Sequence, residues 1–488
     1  MPRTGEGREG DARAPPALTW GALSSHPMRP LDRRAFARTL AGTAGALALA
    51  PLAGVADAAT GAATGLATAA RARTLAPRAP DLRVDGARLN AWLAELARFG
   101  ANPQGGVSRT AYSAADVAGR AYVRRLMEDA GLTVRVDAAG NLVGRRDGRD
   151  ASRAPLVIGS HIDSVPEGGN YDGTLGSLAA IAVARTLGER RTTLRHPLEV
   201  VVWQNEEGGL IGSRVVAGEL PARELDRVAV SGVKIRDGIS ALGGDVATLD
   251  TARRAPGSIA GYLELHIEQG GTLERERTAV GVVEGIVGIW QWTVTVDGFA
   301  NHAGTTPMDQ RRDALLAASR FVQMVERVVR AEPGRQVGTV GQIRAEPGAP
   351  NVIPGRVTMS LELRDLDAPK VRRLYDAIAG EARRLGEQSG TTFAFAPLTD
   401  HGPALCDARM QRVVGEAARG LALSTRTLPS GAGHDAQEMA RLGPTGMIFV
   451  PSMGGISHSP REFTRPEDCT NGANVLLHAV LAADATLG

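Results

Sequence analysis

The chain has 488 residues, 43% of them hydrophobic, which is length enough for two or three domains with real cores. Its formal charge of +3 belongs to the first 80 residues, which hold 10 Arg and 5 acids; from Asp81 onward 46 basic residues face 48 acidic ones. No basic stripe with interleaved aromatics marks a nucleic-acid surface. Two cysteines, Cys406 and Cys469, exclude a disulfide framework and a thiolate zinc site, so any metal must be held by nitrogen and oxygen.

Residues 1–58 read as a leader. Asp32-Arg33-Arg34-Ala35-Phe36-Ala37-Arg38 precedes an uncharged apolar run, Leu40 to Val55, and then Ala56-Asp57-Ala58. That order resembles a twin-arginine export signal and predicts a periplasmic or secreted protein. The apolar run is too short and too rich in Gly and Ala for a stable membrane span. Met28, six residues before Arg34, is an alternative start to Met1. Residues 59–80, rich in Ala, Thr, Arg and Pro, read as a linker.

From Asp81 strands and helices alternate. Helical periodicity covers 88–99 and 114–130. Leu156 to Gly159 is a buried strand delivering His161, and a helix follows Asp172-Gly173 from Leu175 to Leu187. Leu198 to Trp203 is a strand ending at Glu206-Glu207, Tyr262 to Leu265 one ending at His266, and Met447 to Val450 one followed by the loop with His458. Functional groups at the carboxyl ends of parallel strands are where open α/β sheets place their sites. Between Gly288 and Asp400 the order changes to strand (Ile289–Val296), helix (Asp313–Val329), strands (Val337–Arg344, Arg356–Leu363), helix (Pro369–Glu387) and strand (Thr392–Ala396). This βαββαβ unit of ~100 residues is large enough for a domain. The predicted fold is α/β: a discontinuous catalytic domain (81–287 and 401–488) with an inserted α+β domain (288–400).

Chemistry concentrates in five stretches: His161-Ile162-Asp163, Asp172-Gly173, Glu206-Glu207, His266-Ile267-Glu268-Gln269 and Ile456-Ser457-His458. Two divalent ions need a bridging carboxylate, a few terminal imidazoles and carboxylates, and open positions for water. His161, Asp172, Glu207, His266 and His458 supply that set, and Glu206 remains as a base. Of the nine His, those at 161, 266, 302, 434 and 458 sit in Gly, Ser or Asn contexts, whereas His26 falls in the leader and His196, His401 and His478 read as structural.

These residues resemble the M20 metallopeptidase family, in its amidase and hydantoinase-carbamoylase branch. The matching runs are Gly159 to Val165, Leu265 to Gly270, Asn301 to Met308, Pro350 to Gly355, Ser430 to Ala436 and Gly455 to His458. The resemblance implies an exopeptidase-like di-metal catalytic domain with an inserted dimerisation and lid domain, and a homodimer. It implies that Asp172 bridges two ions, with His161 and His266 completing one site and Glu207 and His458 the other. The ions would be zinc, with manganese, cobalt and nickel as alternatives. By the same resemblance Glu206 is the general base and His302, Asn351 and Arg364 contact the oxyanion and substrate carboxylate, from the neighbouring subunit or as a closing lid. Gln269 and His434 would be substrate-side contacts. Asp163, two residues from His161, would hold that imidazole in its metal-binding tautomer.

The implied activity is metal-dependent cleavage of the carbamoyl C–N bond of N-carbamoyl-L-amino acids or related small ureido acids. Alternatives are an allantoate amidohydrolase, an aminoacylase or peptidase on the same scaffold, and a non-catalytic periplasmic binding protein. One departure stands out: Glu206-Glu207 is followed by Gly208-Gly209-Leu210-Ile211-Gly212-Ser213, without the Arg-Phe usual in the family. That loop borders the substrate pocket in relatives, so it bears on side-chain preference.

Overall fold

The computed structural model describes residues 82–487, so the leader, export-signal and linker readings lie outside the described residues. A nine-stranded mixed sheet carries the larger part of the fold. At its centre four strands run parallel in the order Leu198–Trp203, Leu156–His161, Gly261–Ile267 and Thr445–Val450. Antiparallel strands flank them, Leu142–Arg146 on one side and Val280–Ile286 on the other.

The parallel strands read as continuous apolar runs because both faces are covered. Side chains alternate across the sheet. Leu156, Ile158, Val200, Val202, Leu263, Leu265, Ile448 and Val450 pack one way, beneath the helices Thr174–Glu189 and Pro466–Thr486. Val157, Val201, Trp203, Tyr262, Met447 and Phe449 pack the other way. Tyr262, Glu264 and His266 therefore share one face of their strand, and two of those three are polar groups in a fully buried row. Among the described residues no helix is long and apolar enough to cross a membrane.

A second sheet of five strands is built from 288–401, with its own core of Val294, Val296, Phe321, Leu361, Leu363 and Ile378. Helices Ala314–Ala331 and Ala368–Ser389 pack against it. The stretch predicted as one strand, Val337–Arg344, is two, Val337–Thr339 and Ile343–Glu346. Both pair with Arg356–Asp365, but three residues (340–342) oppose two (360–361), which is a bulge. The Ser360 hydroxyl accepts the backbone N–H groups of Gly341 and Gln342 at 3.2 and 3.1 Å and so holds the bulge in place.

Arg109 ties the edge of the fold to the first functional loop. Its guanidinium is buried and donates to the carbonyls of Ile162 (2.7 Å), Leu96 (2.9 Å) and Phe99 (2.9 Å). Burial pulls its pKa down to about 10 against the opposing charges of Asp116 and Asp163. Arg109→Met keeps the volume but removes three donated hydrogen bonds, one of them the 2.7 Å bond to the buried Ile162 carbonyl, and leaves Arg120 alone to balance Asp116 and Asp163. The expected loss is roughly 3–5 kcal/mol, read as a lower urea midpoint at unchanged slope; an unmoved midpoint would rule out this role.

Candidate metal centre and substrate cavity

Each central strand ends at a group that faces the same spot. His161 is the last residue of its strand and His266 the penultimate residue of the next. Glu206 and Glu207 follow Trp203 in a tight turn, and His458 lies beyond Val450 in a glycine-containing loop. Between them, Asp172 begins the turn into the helix Thr174–Glu189. Gly173 caps that helix with φ of 60°, and a Cβ there would come within 2.3 Å of the His161 ring. Only glycine fits both the backbone and the ring.

Asp172 is shared. Its Oδ1 stands 3.5 Å from His161 Nε2 and 3.1 Å from His266 Nε2. Its Oδ2 is 3.3 Å from His458 Nε2, which is 3.6 Å from Glu207. Two donor groups result, His161–Asp172–His266 and Asp172–Glu207–His458, with one carboxylate common to both. The donors fit metal binding on three counts. His161 Nδ1 faces the Asp163 carbonyl at 3.0 Å and His266 Nδ1 the Ile267 carbonyl at 2.9 Å, so each ring in its neutral form keeps its hydrogen on Nδ1 and turns the Nε2 lone pair toward Asp172, where that of His266 also accepts the Gly173 N–H at 3.1 Å. Glu207 Oε1 is buried with no hydrogen-bond partner. The field is strongly negative: against burial, Glu206, Asp172 and Asp163 hold the His161 pKa well above that of a free imidazole.

The acids respond in opposite directions. Burial opposes ionisation of Asp172, but His266, His161 and His458 outweigh it and hold the carboxyl well below the usual range. Burial pushes Glu206 well above that range, with His161 opposing and Glu207, Asp435 and Asp163 adding repulsion. Glu207 rises to about 7, again mainly through burial, with Asp172 beside it. The Glu206 carboxylate sits 3.7 Å from His161 Nε2, next to both donor groups.

Asp163 acts through two different groups. Its carbonyl holds the His161 ring, while its carboxylate, 3.7 Å from that ring, accepts the backbone N–H groups of Glu206 and Glu207 at 3.2 Å each. The residue that orients one imidazole thus also sets the neighbouring turn. Gln269 donates to Asp172 Oδ2 at 2.7 Å, and its Oε1 is buried without a partner. His434 packs edge-on against His266, with ring centroids 4.4 Å apart. Its Nε2 bonds Ser430 at 2.8 Å and its Nδ1 has no partner. Burial and the adjacent His266 hold its pKa well below the free value, so the ring is neutral.

A cavity of about 650 Å³ opens from Asp172, Glu206, Glu207 and His458, with Gln269 and His434 in its wall. Its far side is the end of the second sheet, where Arg364, Ile289 and His401 lie side by side in register. Arg364 spans the gap, bonding Glu362 at 2.7 Å and the Gly431 carbonyl at 2.7 Å. His401, read as structural from sequence, belongs to this wall. His302 and Asn351 do not line the cavity. They are exposed, on or beside a two-stranded ladder of Asn301–His302 with Val352–Ile353.

Sequence reasoning missed several supporting groups. Glu264 accepts from Ser160 (2.7 Å), Tyr262 (3.1 Å) and the Ala436 N–H (3.0 Å), directly behind His266. Glu462 accepts the N–H groups of Tyr171 and Asp172, and Ser457 bridges it to Asp172 Oδ2. The signal for Glu264 was available: a carboxylate inside a buried strand, two residues before a functional His.

Residues 157–482 match the model of peptidase family M20/M25/M40. The chain is 41% identical over 402 residues to an N-carbamoyl-L-amino acid amidohydrolase of Geobacillus stearothermophilus, covering 81% of this chain and 98% of that protein. It is 35% identical to the allantoate amidohydrolase of Escherichia coli, covering 78% of this chain and 94% of that protein. The crystal structure of an amidase of the hydantoinase/carbamoylase family from Burkholderia multivorans superposes with a TM-score of 0.78 at 39% identity, covering 84% of this chain and all of the other.

Proposed function

The chain belongs to peptidase family M20/M25/M40, and on that footing we propose that it is a metal-dependent amidohydrolase acting on N-carbamoyl-L-amino acids or related small ureido acids. The observation that carries the reading is Asp172, one carboxylate facing a separate donor group with each oxygen, with Glu206 alongside. Similarity to a named N-carbamoyl-L-amino acid amidohydrolase over four-fifths of the chain supports the substrate class. Allantoate, the substrate named for another relative, is the second reading. His434 favours ureido over simple acyl substrates, because its unpartnered ring nitrogen in the cavity wall suits a substrate rich in N–H donors.

His161, Asp172 and His266 would hold one divalent ion, and Asp172, Glu207 and His458 a second; zinc fits these ligands, as do manganese, cobalt and nickel. When bound, such ions supply Lewis acidity toward water and the scissile carbonyl. Glu206, raised by burial, is a strong enough base to take a proton from the attacking water and return it to the leaving nitrogen. The products are the free amino acid, ammonia and carbon dioxide. Arg364 offers a guanidinium fork to the substrate carboxylate from the cavity wall.

His302 enters the same reading through a partner. Its Nδ1 accepts the N–H groups of Gly304 and Thr305 at 3.0 and 3.1 Å, so the neutral ring presents an Nε2–H donor outward. It lies outside its own chain's cavity lining, which supports a homodimer in which the 288–400 segment is the dimerisation and lid domain and each His302 serves the neighbouring site as an oxyanion donor. Export through the Arg33-Arg34 signal to the periplasm or beyond completes the proposal.

Three measurements check it. Glu206→Gln should keep its metal content, read by elemental analysis, while kcat falls by ~10² or more; loss of metal would make Glu206 a ligand. His302→Ala and Glu206→Gln should each be nearly inactive, yet co-expression should restore about a quarter of all sites. Half the dimers are then mixed, and each mixed dimer has one site free of both defects. Background activity despite proven heterodimers would assign His302 to its own subunit. Replacing Arg33 and Arg34 by Lys should leave uncleaved protein in the cytoplasm, and unchanged export would remove the signal.

A further inference from the structure

The cavity has a second, cationic end. Gly209, two residues after Glu207, lies on the cavity lining and places no side chain there. The Arg227 guanidinium lies there instead. It donates to the Gly208 carbonyl and stands 3.2 Å from where a Cβ on Gly209 would fall. Gly209 has φ of 111°, so a side chain at that position would be strained as well as crowded.

Arg227 is incompletely neutralised. The nearby acid, Glu224, is held by both terminal nitrogens of Arg214 at 2.9 and 2.8 Å. Arg227 keeps only a 3.9 Å contact with it, and its own side chain is 48% exposed. Arg223, on the same turn, has no ion-pair partner among the described residues, and both arginines line the cavity that begins at Asp172 and Glu207. The remaining acids of this wall do not cancel them. Glu438 is bonded to Arg441 at 3.1 Å, and Asp400 stands on the second sheet beside His401.

A guanidinium with free N–H groups facing a cavity matches a carboxylate, which it binds through two parallel bonds. On the amidohydrolase reading, we propose that the preferred substrates are ureido acids with a second carboxylate on the side chain, received by Arg227 with Arg223 beside it. Gly209 leaves the room, and the cavity of about 650 Å³ lies in the range that encloses small-molecule ligands.

The test compares kcat/KM of the metal-loaded full-length protein for N-carbamoyl-L-glutamate, N-carbamoyl-L-glutamine and N-carbamoyl-L-lysine. Glutamine keeps the shape and removes the charge. The glutamate substrate should exceed the glutamine one by about tenfold, the scale of one charge-assisted hydrogen bond. Arg227→Gln should bring that ratio near one, Arg227→Lys should retain part of it, and Arg223→Gln should lower it less. A wild-type ratio at or below one, a ratio that Arg227→Gln leaves intact, or a preference for the lysine substrate set by Asp400 would each overturn the proposal and leave the amidohydrolase reading in place. No turnover of any of the three would overturn both.

Discussion

Seven carboxylates converge at the ends of four parallel strands: Asp163, Asp172, Glu206, Glu207, Glu264, Asp435 and Glu462. Removing that many carboxyl groups from water is costly, and burial pushes Glu206, Glu207, Glu264, Asp435 and Glu462 above the usual carboxylate range. The described residues offset part of it. Arg109 and Arg120 are buried beside Asp116 and Asp163, and backbone or hydroxyl donors satisfy Asp163, Glu264 and Glu462. What stays uncompensated is Asp435, pushed up by burial with one oxygen unpartnered, and the pair nearest the cavity, where Glu206 and Glu207 are pushed upward and Glu207 keeps an unpartnered oxygen. A divalent cation held there would meet that need and would couple metal binding to stability at this point.

The candidate metal donors rest on two kinds of support. His161 and His266 sit on strands, each ring fixed by a backbone carbonyl, and neither can move without disturbing the sheet. His458 is half exposed, on a loop, with φ of 51°, and Asn205, Leu210 and Gln269 around the site also have positive φ. Non-glycine residues in that region cost energy and persist where the surroundings over-determine them. One donor group is thus built into the rigid core and the other into strained turns, while Asp172 belongs to both.

The sequence was most legible where a single physical rule dominates. Strands buried on both faces read as apolar runs, so Leu198–Trp203 and its neighbours were recognisable, as were the His and acids that interrupt the pattern at their ends. Legibility failed where tertiary pairing decides. Thr425–Ser430 reads Thr-Arg-Thr-Leu-Pro-Ser and is a strand only because Val280–Ile286 pairs with it in parallel. The bulge at 340–342 depends on the Ser360 hydroxyl across the sheet. Glu462 and Asp435 are distant in sequence from the groups they support, at Asp172 and Ser213. His401 lies between Asp400 and Gly402, yet nothing in that local context tells which face it takes, since register alone brings it level with Arg364.

That register has a further consequence for how this cavity can be remodelled. Arg364, Ile289 and His401 form one row across three antiparallel strands, and side chains on a strand change faces at every residue. A one-residue insertion ahead of Arg364 in Arg356–Asp365, if no bulge absorbed it, would turn Arg364 to the opposite face, whereas an insertion in the loop beyond Arg356–Asp365 or Gly288–Asp297 leaves the row intact. The wall is therefore discrete in its geometry. Loop length can be varied freely around it, but an odd change in strand length keeps the row only if a bulge absorbs it, as one does at Leu398 between Pro397 and Thr399.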